Sequence, residues 1–345
     1  MEIELIRQRL RDLGAKPEHE QRVLRDWLQA RNYDQGRRRP KDYLPLTLRE
    51  ALPALDAELN GIARLVTTHP TEDGSARLLV GLMDGQMVES VLLPRDGLCI
   101  STQVGCAVGC QFCMTGRSGL IRQLTSGEML AQVALARQHR TVKKVVFMGM
   151  GEPAHNLENV METIHLLGTE GNIGHKNLVL STVGDLRVFE RLAQSVVKPA
   201  LALSLHTSKP ALRETLLPRA PRMTPQQLVE LAEQYAIASA YPVQYQWTLL
   251  EGVNDGEDEI EGIVALLKGK YAVLNMIPYN SIPDLPFQRP SWERARAMAS
   301  ELHRRGVLTK LRDSAAQEVD GGCGQLRARA ITDAGKKRIV VTPSV

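Results

Sequence analysis

The chain has 345 residues, 43% of them hydrophobic, enough for one large barrel-type domain and a small accessory one. A net charge of +4 is too mild to establish a nucleic-acid partner by itself. The opening Met1-Glu-Ile-Glu-Leu-Ile-Arg lacks the apolar run of a secretion signal, and no apolar run approaches the roughly 18 residues of a membrane span; both point to a cytoplasmic protein with reduced thiols and no membrane partner.

Residues 1–60 read as helical. Leu5, Leu10 and Leu13 fall near helical spacing, as do Val23, Leu24, Trp27 and Leu28, with Gly14 and Pro17 between the two segments. A third helix is expected over 48–59. Residues 61–95 change character: 78–82 and 87–93 suggest two strands joined by a hairpin turn at Asp84-Gly85. From Leu98 onward strands and helices alternate. Strands are expected at 98–104, 144–148, 177–181, 200–205, 243–250 and 271–277, and helices at 127–137, 156–167, 186–195, 224–237, 257–267 and 292–305. Thr125-Ser-Gly-Glu128 is a capping box for the first of these helices. Six strand–helix repeats predict an α/β fold with a parallel sheet and right-handed crossovers, a partial (β/α)6 barrel, since residues are lacking for eight-fold closure. Basic clusters at Arg37-Arg38-Arg39 with Lys41, at Lys143-Lys144, at Arg213, Arg219 and Arg222, at Arg304-Arg305 and at Lys336-Lys337-Arg338 are candidates for phosphate contact, each weighed against an ordinary solvated surface.

Cys106, Cys110 and Cys113 form a C-x3-C-x2-C run. Three thiolates on one short loop hold three irons of a [4Fe–4S] cube and leave the fourth open, whereas electron-transfer clusters use four cysteines. A zinc site calls for a second ligand pair, which does not follow; His139 stands alone on a predicted helix. The pattern is similar to that of radical S-adenosylmethionine (SAM) enzymes, in which SAM takes the open iron. Reactive groups in barrels gather at the C-terminal ends of strands. There lie Gly149-Met-Gly151-Glu152-Pro153, whose Glu152 carboxylate could accept from the SAM amino group. There too lie Ser181, Ser204-Leu205-His206 and Asn280, candidate hydrogen-bonding partners for SAM. Taken singly, each of these is as readily a satisfied turn residue. Cys99 sits on the strand leading to the cluster loop, and Cys323 sits in the open run Gly321-Gly-Cys-Gly-Gln-Leu326, which favours a reactive thiol over a buried inert one.

Together, Cys99, the three-cysteine run, Gly149–Pro153, Ser204-Leu-His206, Ile277-Pro-Tyr-Asn280 and Cys323-Gly-Gln-Leu resemble the radical SAM RNA adenine methyltransferases, the family of the RlmN and Cfr enzymes. The likeness spans nearly the whole chain. It implies a helical N-terminal accessory domain that binds RNA (1–60), a β-hairpin connector (61–95), a radical SAM barrel carrying the reactive-cysteine loop (96–330) and a C-terminal tail (331–345). It implies a [4Fe–4S] cluster on Cys106, Cys110 and Cys113, with SAM held by Gly151, Glu152, Ser181, Ser204, Leu205, His206 and Asn280. The activity it implies is methylation of an adenine ring carbon, carbon 2 before carbon 8, of rRNA or tRNA. In that scheme Cys323 carries the methyl group as S-methylcysteine, Cys99 releases the product by forming a disulfide with Cys323, and Glu89 removes the substrate proton. An electron donor such as flavodoxin and a monomeric state complete the set. The runs Glu318–Gly322, Arg219–Arg222 and Arg122–Leu124 depart from the family's usual sequence and mark a divergent paralogue. The alternative is a radical SAM enzyme acting on a protein or small molecule, which would leave Cys99 and Cys323 incidental.

Overall fold

The structure is a computed structural model that describes residues 2–33, 39–117 and 119–328. The expected tail at 331–345, with Lys336–Arg338, and the cations Arg37 and Arg38 lie outside the described residues. Three helices open the chain: α1 (Ile3–Asp12), α2 (Pro17–Leu28) and α3 (Leu46–Gly61). The buried stripe of α1 is Ile3, Ile6 and Leu10, whereas Leu5 is 63% exposed. The helical reading therefore holds, but the face is rotated from the leucine spacing because the isoleucines carry the apolar stripe. Helices α2 and α3 bury Val23, Leu24, Trp27 and Leu28, and Leu48, Leu52, Leu55 and Leu59. All three helices share one continuous core with the rest of the molecule.

A ten-stranded sheet follows. Strands β1 (Ala63–Pro70), β2 (Ala76–Leu82) and β3 (Met87–Leu93) form an antiparallel meander, and β3 pairs antiparallel with β4 (Gly97–Cys99). The hairpin at 84–85 is present, with Gly85 at φ +85°. It is one half of a three-strand meander continuous with the main sheet. Strand β1 was not expected because Arg-Leu-Val-Thr-Thr-His offers a half-exposed edge without apolar alternation. From β4 the sheet turns parallel and runs in chain order through β7 (Lys144–Phe147), β8 (Leu178–Thr182), β9 (Ala200–Ser204), β10 (Val243–Leu249), β11 (Ala272–Pro278) and β12 (Thr309–Leu311). The sheet ends at β1 on one side and β12 on the other, so the barrel does not close.

The expected strand 98–104 breaks. Strand β4 ends at Cys99, and β5 (Gln103–Gly105) leaves the sheet to pair with β6 (Leu120–Gln123). The break is held by Gln132, whose amide accepts from Ser101 N at 2.9 Å and donates to Ser101 O at 3.0 Å. The crossover helices α4 (Ser126–His139), α5 (Leu157–Gly168), α6 (Leu186–Gln194), α8 (Pro225–Ser239), α9 (Glu257–Leu267) and α10 (Trp292–Arg304) match the expected segments within two residues at each end. A short α7 (Pro210–Leu216) and β12 were too brief to leave a periodic signal. Thr125 caps α4 reciprocally: its hydroxyl accepts from Glu128 N at 3.2 Å and its N–H donates to the Glu128 carboxylate at 2.9 Å. Helix α4 buries every residue from Ser126 to Ala136, because α2, α3 and β1 cover the side a crossover helix usually shows to water. The central strands are near-continuous apolar runs such as Leu178-Val-Leu180 and Ala200-Leu-Ala-Leu203, as a sheet covered on both faces requires.

The rotated face of α1 is directly testable. Leu10→Ala should cost about 2–5 kcal/mol of stability, as for a buried leucine, while Leu5→Ala should stay within about 0.5 kcal/mol. Chemical denaturation of the two variants reads the difference, and equal losses would place the buried face elsewhere.

Candidate active site

The loop between β5 and β6 carries Cys106, Cys110 and Cys113. It folds back at Gly105, where φ is +81° and a Cβ would sit 2.1 Å from Gly119 O. Cys106 N donates to Gly119 O at 3.0 Å, and Cys113 N to Cys110 O at 3.1 Å. Beneath the loop lies an apolar bed of Val108, Phe112, Leu216, Leu217, Leu250, Tyr279 and Ile282, against which all three cysteines pack. Burial pushes the Cys106 thiol up to about 12. It raises Cys110 as well, reinforced by Cys113, Cys106 and Glu152 nearby. Among the described residues, no three His, Cys, Asp or Glu side chains converge tightly enough for a single metal ion. Three thiols on one loop, with no fourth Cys or His beside them in the run, fit a cluster with one open iron better than one tetrahedral ion.

The glycine-rich turn after β7 packs against the break in β4. A Cβ on Gly149 would lie 2.7 Å from Ile100 O, and one on Gly151 (φ +107°) 2.6 Å from Thr102 Oγ1. These glycines are required by protein packing as much as by any ligand. Glu152 is buried and heavily used. Its Oε1 accepts from Thr182 Oγ1 at 2.6 Å and Ala154 N at 3.0 Å, and its Oε2 from Val183 N at 3.0 Å. Burial still raises its pKa, against the pull of those donors. Ser181 and Ser204 end β8 and β9, half-buried at the same rim. Leu205 is fully buried beside them. His206 holds φ +61° and stacks edge-on to Phe112 with ring centroids 4.8 Å apart. Its Nδ1 accepts from Thr248 N at 3.0 Å, and burial pushes its pKa down to about 3, so the imidazole is neutral. Sequence reasoning missed Asn254, whose amide donates to His206 O at 2.7 Å and Thr248 O at 2.8 Å while accepting from Leu250 N. A lone asparagine in a polar turn gives no signal for such a role. One of the candidate RNA cations is likewise structural: the Arg213 guanidinium is buried against Val183 O and Ser204 O, whereas Arg219 stays exposed while donating to Ala107 O at 3.0 Å.

Cys99, Cys113 and Cys323 line one cavity of about 760 Å³ inside the barrel. That size lies within the usual range of small-ligand sites. Cys323 opens into it from a segment stitched to the cluster loop: Met114 N donates to Gly324 O at 2.7 Å, and Thr115 Oγ1 to Leu326 O at 2.7 Å. Asn280 holds that segment too, donating to Cys323 O and Ser314 Oγ, each at 2.9 Å. Asn280 thus grips the reactive-cysteine loop, a role the sequence did not suggest. Burial raises both lone thiols, Cys99 to about 12. A Ser314 hydrogen bond and the Arg312 charge oppose the rise at Cys323 alone. All five cysteines are free thiols, so the Cys99–Cys323 disulfide implied by the resemblance is not formed in this structure. Glu89 also departs from expectation. It is fully buried on β3, pairs with Arg77 Nη1 at 2.5 Å and accepts from Arg327 N at 2.7 Å, and it does not line the cavity. Its inward face on a covered strand leaves its carboxylate to Arg77 and the end of the Cys323 segment.

Residues 100–267 match the family model described as the Radical SAM superfamily. A protein of Leptothrix cholodnii named "Probable RNA methyltransferase" is 70% identical over 343 residues, covering 99% of each chain. One of Methylibium petroleiphilum, also named a probable RNA methyltransferase, is 70% identical over 99% of this chain and 97% of its own. The crystal structure of a radical SAM methyltransferase from Sphaerobacter thermophilus superposes with a TM-score of 0.81 at 34% identity, covering 95% of this chain and 98% of that one. Among the described residues no helix is long and apolar enough to cross a membrane.

Two outcomes follow from the electrostatics. Cysteines ligate as thiolates, so raised thiol pKa values make iron loading compete with protons. Iron incorporated at fixed iron and sulfide should therefore rise with pH from about pH 7 to about pH 9, and be lost in Cys106→Ala, Cys110→Ala and Cys113→Ala. Separately, Glu89→Gln should destabilise the fold by about 3–5 kcal/mol by breaking the buried Arg77–Glu89 pair, and the paired replacement Arg77→Met/Glu89→Leu should recover most of that loss. A Glu89→Gln protein that melts like the wild type yet loses activity would return Glu89 to a chemical role.

Proposed function

The chain belongs to the radical SAM superfamily, whose members work with a [4Fe–4S] cluster and SAM, and we propose that it methylates an adenine ring carbon of rRNA or tRNA with Cys323 as the methyl carrier. The observation that carries this reading is the meeting of Cys99, Cys113 and Cys323 on one cavity, with the Cys323 segment hydrogen-bonded to the cluster loop. An enzyme needing only the cluster has no use for two further thiols there. Carbon 2 is favoured over carbon 8 on the family resemblance.

Cys106, Cys110 and Cys113 would hold the cluster. The rim formed by Gly151, Glu152, Ser181, Ser204, Leu205 and His206 would seat SAM, with Glu152 and His206 shaping the rim through the hydrogen bonds they already make. Together the cluster and SAM supply a methyl donor and hydrogen-atom abstraction, chemistry that an electron-poor ring carbon needs because it does not attack SAM directly. The chain's own thiols divide the remaining work by their surroundings. Cys323 has Ser314 and Arg312 to favour its thiolate, so it is the nucleophile that takes the methyl group. Cys99 has only a backbone hydrogen bond at Met148 to oppose its burial and stays protonated at neutral pH. That keeps it in reserve until a covalent protein–RNA adduct presents the Cys323 sulfur for attack, when a transient disulfide would release the product. Asn280 and Ser314 fix the carrier's position, and Glu89 anchors the segment's far end through Arg327 N. The enzyme would work in the cytoplasm as a monomer, with RNA and an electron donor such as flavodoxin as its partners.

The test is transfer of deuterated methyl from SAM. With cluster reconstituted anaerobically, reductant, and protein-free rRNA and tRNA, nucleoside mass spectrometry should show labelled methyladenosine that is absent with Cys323→Ala. The retention time separates carbon 2 from carbon 8. Formation of 5′-deoxyadenosine with no labelled nucleoside would reject RNA as the substrate.

A further inference from the structure

The carrier and resolving thiols occupy the upper part of the cavity. The rest of its lining includes Arg95, Lys144 and Arg312 beside Asp73, Asp313 and Glu318, and of these only Arg312 has a part in that chemistry. Lys144 opens β7 there, in register with Gly97, while Cys99 and Val146 form the register pair two residues on. At a rise of about 3.3 Å per residue, the Lys144 level lies roughly 7 Å from that of Cys99. Arg312, just past β12, reaches the same space and donates from Nε to Asn275 Oδ1 at 2.7 Å. Arg95 lines the cavity beside them.

These cations have no carboxylate of their own. Among the described residues Arg95, Lys144, Lys310 and Arg312 form no ion pair, while the nearby carboxylates are engaged: Asp96 with Lys143 and Asp313 with Arg289. Asp73 accepts from Thr71 and Ser75, and Glu318 stands exposed at the cavity's outer lining. Burial and the charges of Arg312 and Lys310 hold the Lys144 ammonium below the ordinary lysine range. Lys144 is half-buried and faces the exposed Arg312 and Lys310, and a half-buried ammonium beside like charges is a cost that a bound anion would relieve. The lining also crosses the seam where the sheet fails to close, from Thr71 and Arg95 on one side to Asp313 and Glu318 on the other.

We propose that the lower cavity is a phosphate site, in which Lys144 and Arg312 hold the phosphodiester flanking the target nucleotide while its base reaches the Cys99–Cys323 level. The inference rests on the RNA methyltransferase reading. A base drawn out of its stack for chemistry must be held by its backbone, and phosphate contacts fix register without reading sequence. Arginine supplies a directional fork and lysine a point charge, the usual pair for a phosphate. The seam gives the ribose–phosphate chain a side passage that a closed barrel would deny.

The test reads binding without turnover. The full chain, with cluster reconstituted, is titrated with adenosine, adenosine 5′-monophosphate and the dinucleotide adenylyl-(3′,5′)-adenosine, following affinity and thermal midpoint. Both phosphate-bearing probes should bind tighter than adenosine and raise the midpoint, the dinucleotide at least as strongly as the monophosphate. Lys144→Gln and Arg312→Gln should each weaken phosphate-dependent binding roughly tenfold or more, and Lys144→Arg should retain it. Ligand-free Lys144→Gln should melt no lower than wild type, since it loses only an unpaired charge. Arg305→Gln, at the C-cap of α10 and paired with Glu261, should leave phosphate-dependent binding unchanged. Equal affinity for adenosine and its monophosphate, or unchanged phosphate binding in both glutamine variants, would overturn the site. Binding of the monophosphate but not the dinucleotide would assign the pocket to free nucleotides and overturn the RNA part. Phosphate binding without labelled methyl in RNA would sink the methyltransferase reading and leave the site standing.

Discussion

One buried carboxylate organises the rim on which the chemistry depends. Glu152 follows the end of β7, accepts from Thr182 and Val183 at the end of β8, and donates from its own N–H to the Gln103 side chain of β5 at 2.8 Å. Three segments are thereby fixed relative to one another at the level of the cluster loop. A carboxylate there is costly to bury, and it persists because each oxygen is met by a donor. Its negative charge also raises the nearby cluster thiols. The group that orders the rim thus adds to burial in favouring the protonated thiols of Cys106 and Cys110, a charge balance that a cationic cluster core would reverse.

The second constraint is the stitching of two loops far apart in sequence. The hydrogen bonds from Met114 and Thr115 to the carbonyls of Gly324 and Leu326 bring the reactive cysteine to the cluster loop without a rigid element between them. Gly324, at φ +84°, lies at the point where a Cβ would come within 3.1 Å of Phe112 O, so close approach and backbone freedom are needed at one residue. Asn280 and the Arg77–Glu89 pair hold the two ends of that segment from opposite sides of the cavity. Cys323 is thus mounted on a loop whose position is over-determined by polar contacts, as the carrier role proposed for it requires.

Much of this was legible in the sequence. The six crossover helices were found because each has a clear period, a cap or both, and the cysteine run named its own chemistry. Other features were misread for physical reasons. Glu89 and Asn280 sit in motifs that resemble a family's functional residues, and a motif does not say whether a side chain faces a ligand or its own backbone. Glu89 faces inward on a strand covered on both sides; Asn280 turns to the Cys323 carbonyl. Arg213 read as a surface cation because charge is visible in a sequence and burial is not; its guanidinium group caps the carbonyls of Val183 and Ser204. The break in β4 was hidden since Leu98–Val104 is mostly apolar or β-branched, and the hydrogen bonds that let the strand stop come from other elements, Gln132 and Asn156 among them.

The unclosed barrel gives these observations a common sense. Seven parallel strands in chain order build a lumen, and the antiparallel meander continues the sheet past β4 without meeting β12. A closed barrel packs its interior with side chains. Here the lumen keeps a cavity with thiols at one level and cations at another. The apolar packing that would fill it is moved beneath the cysteine loop, into the separate cluster of Val108, Phe112, Leu250 and Tyr279. Separating a dry bed from a polar lumen lets one scaffold protect a redox-active loop and still admit a charged substrate. The two demands conflict in a single core, because the dielectric that favours the cluster loop disfavours the phosphate. Leaving the sheet open at one seam resolves the conflict by geometry.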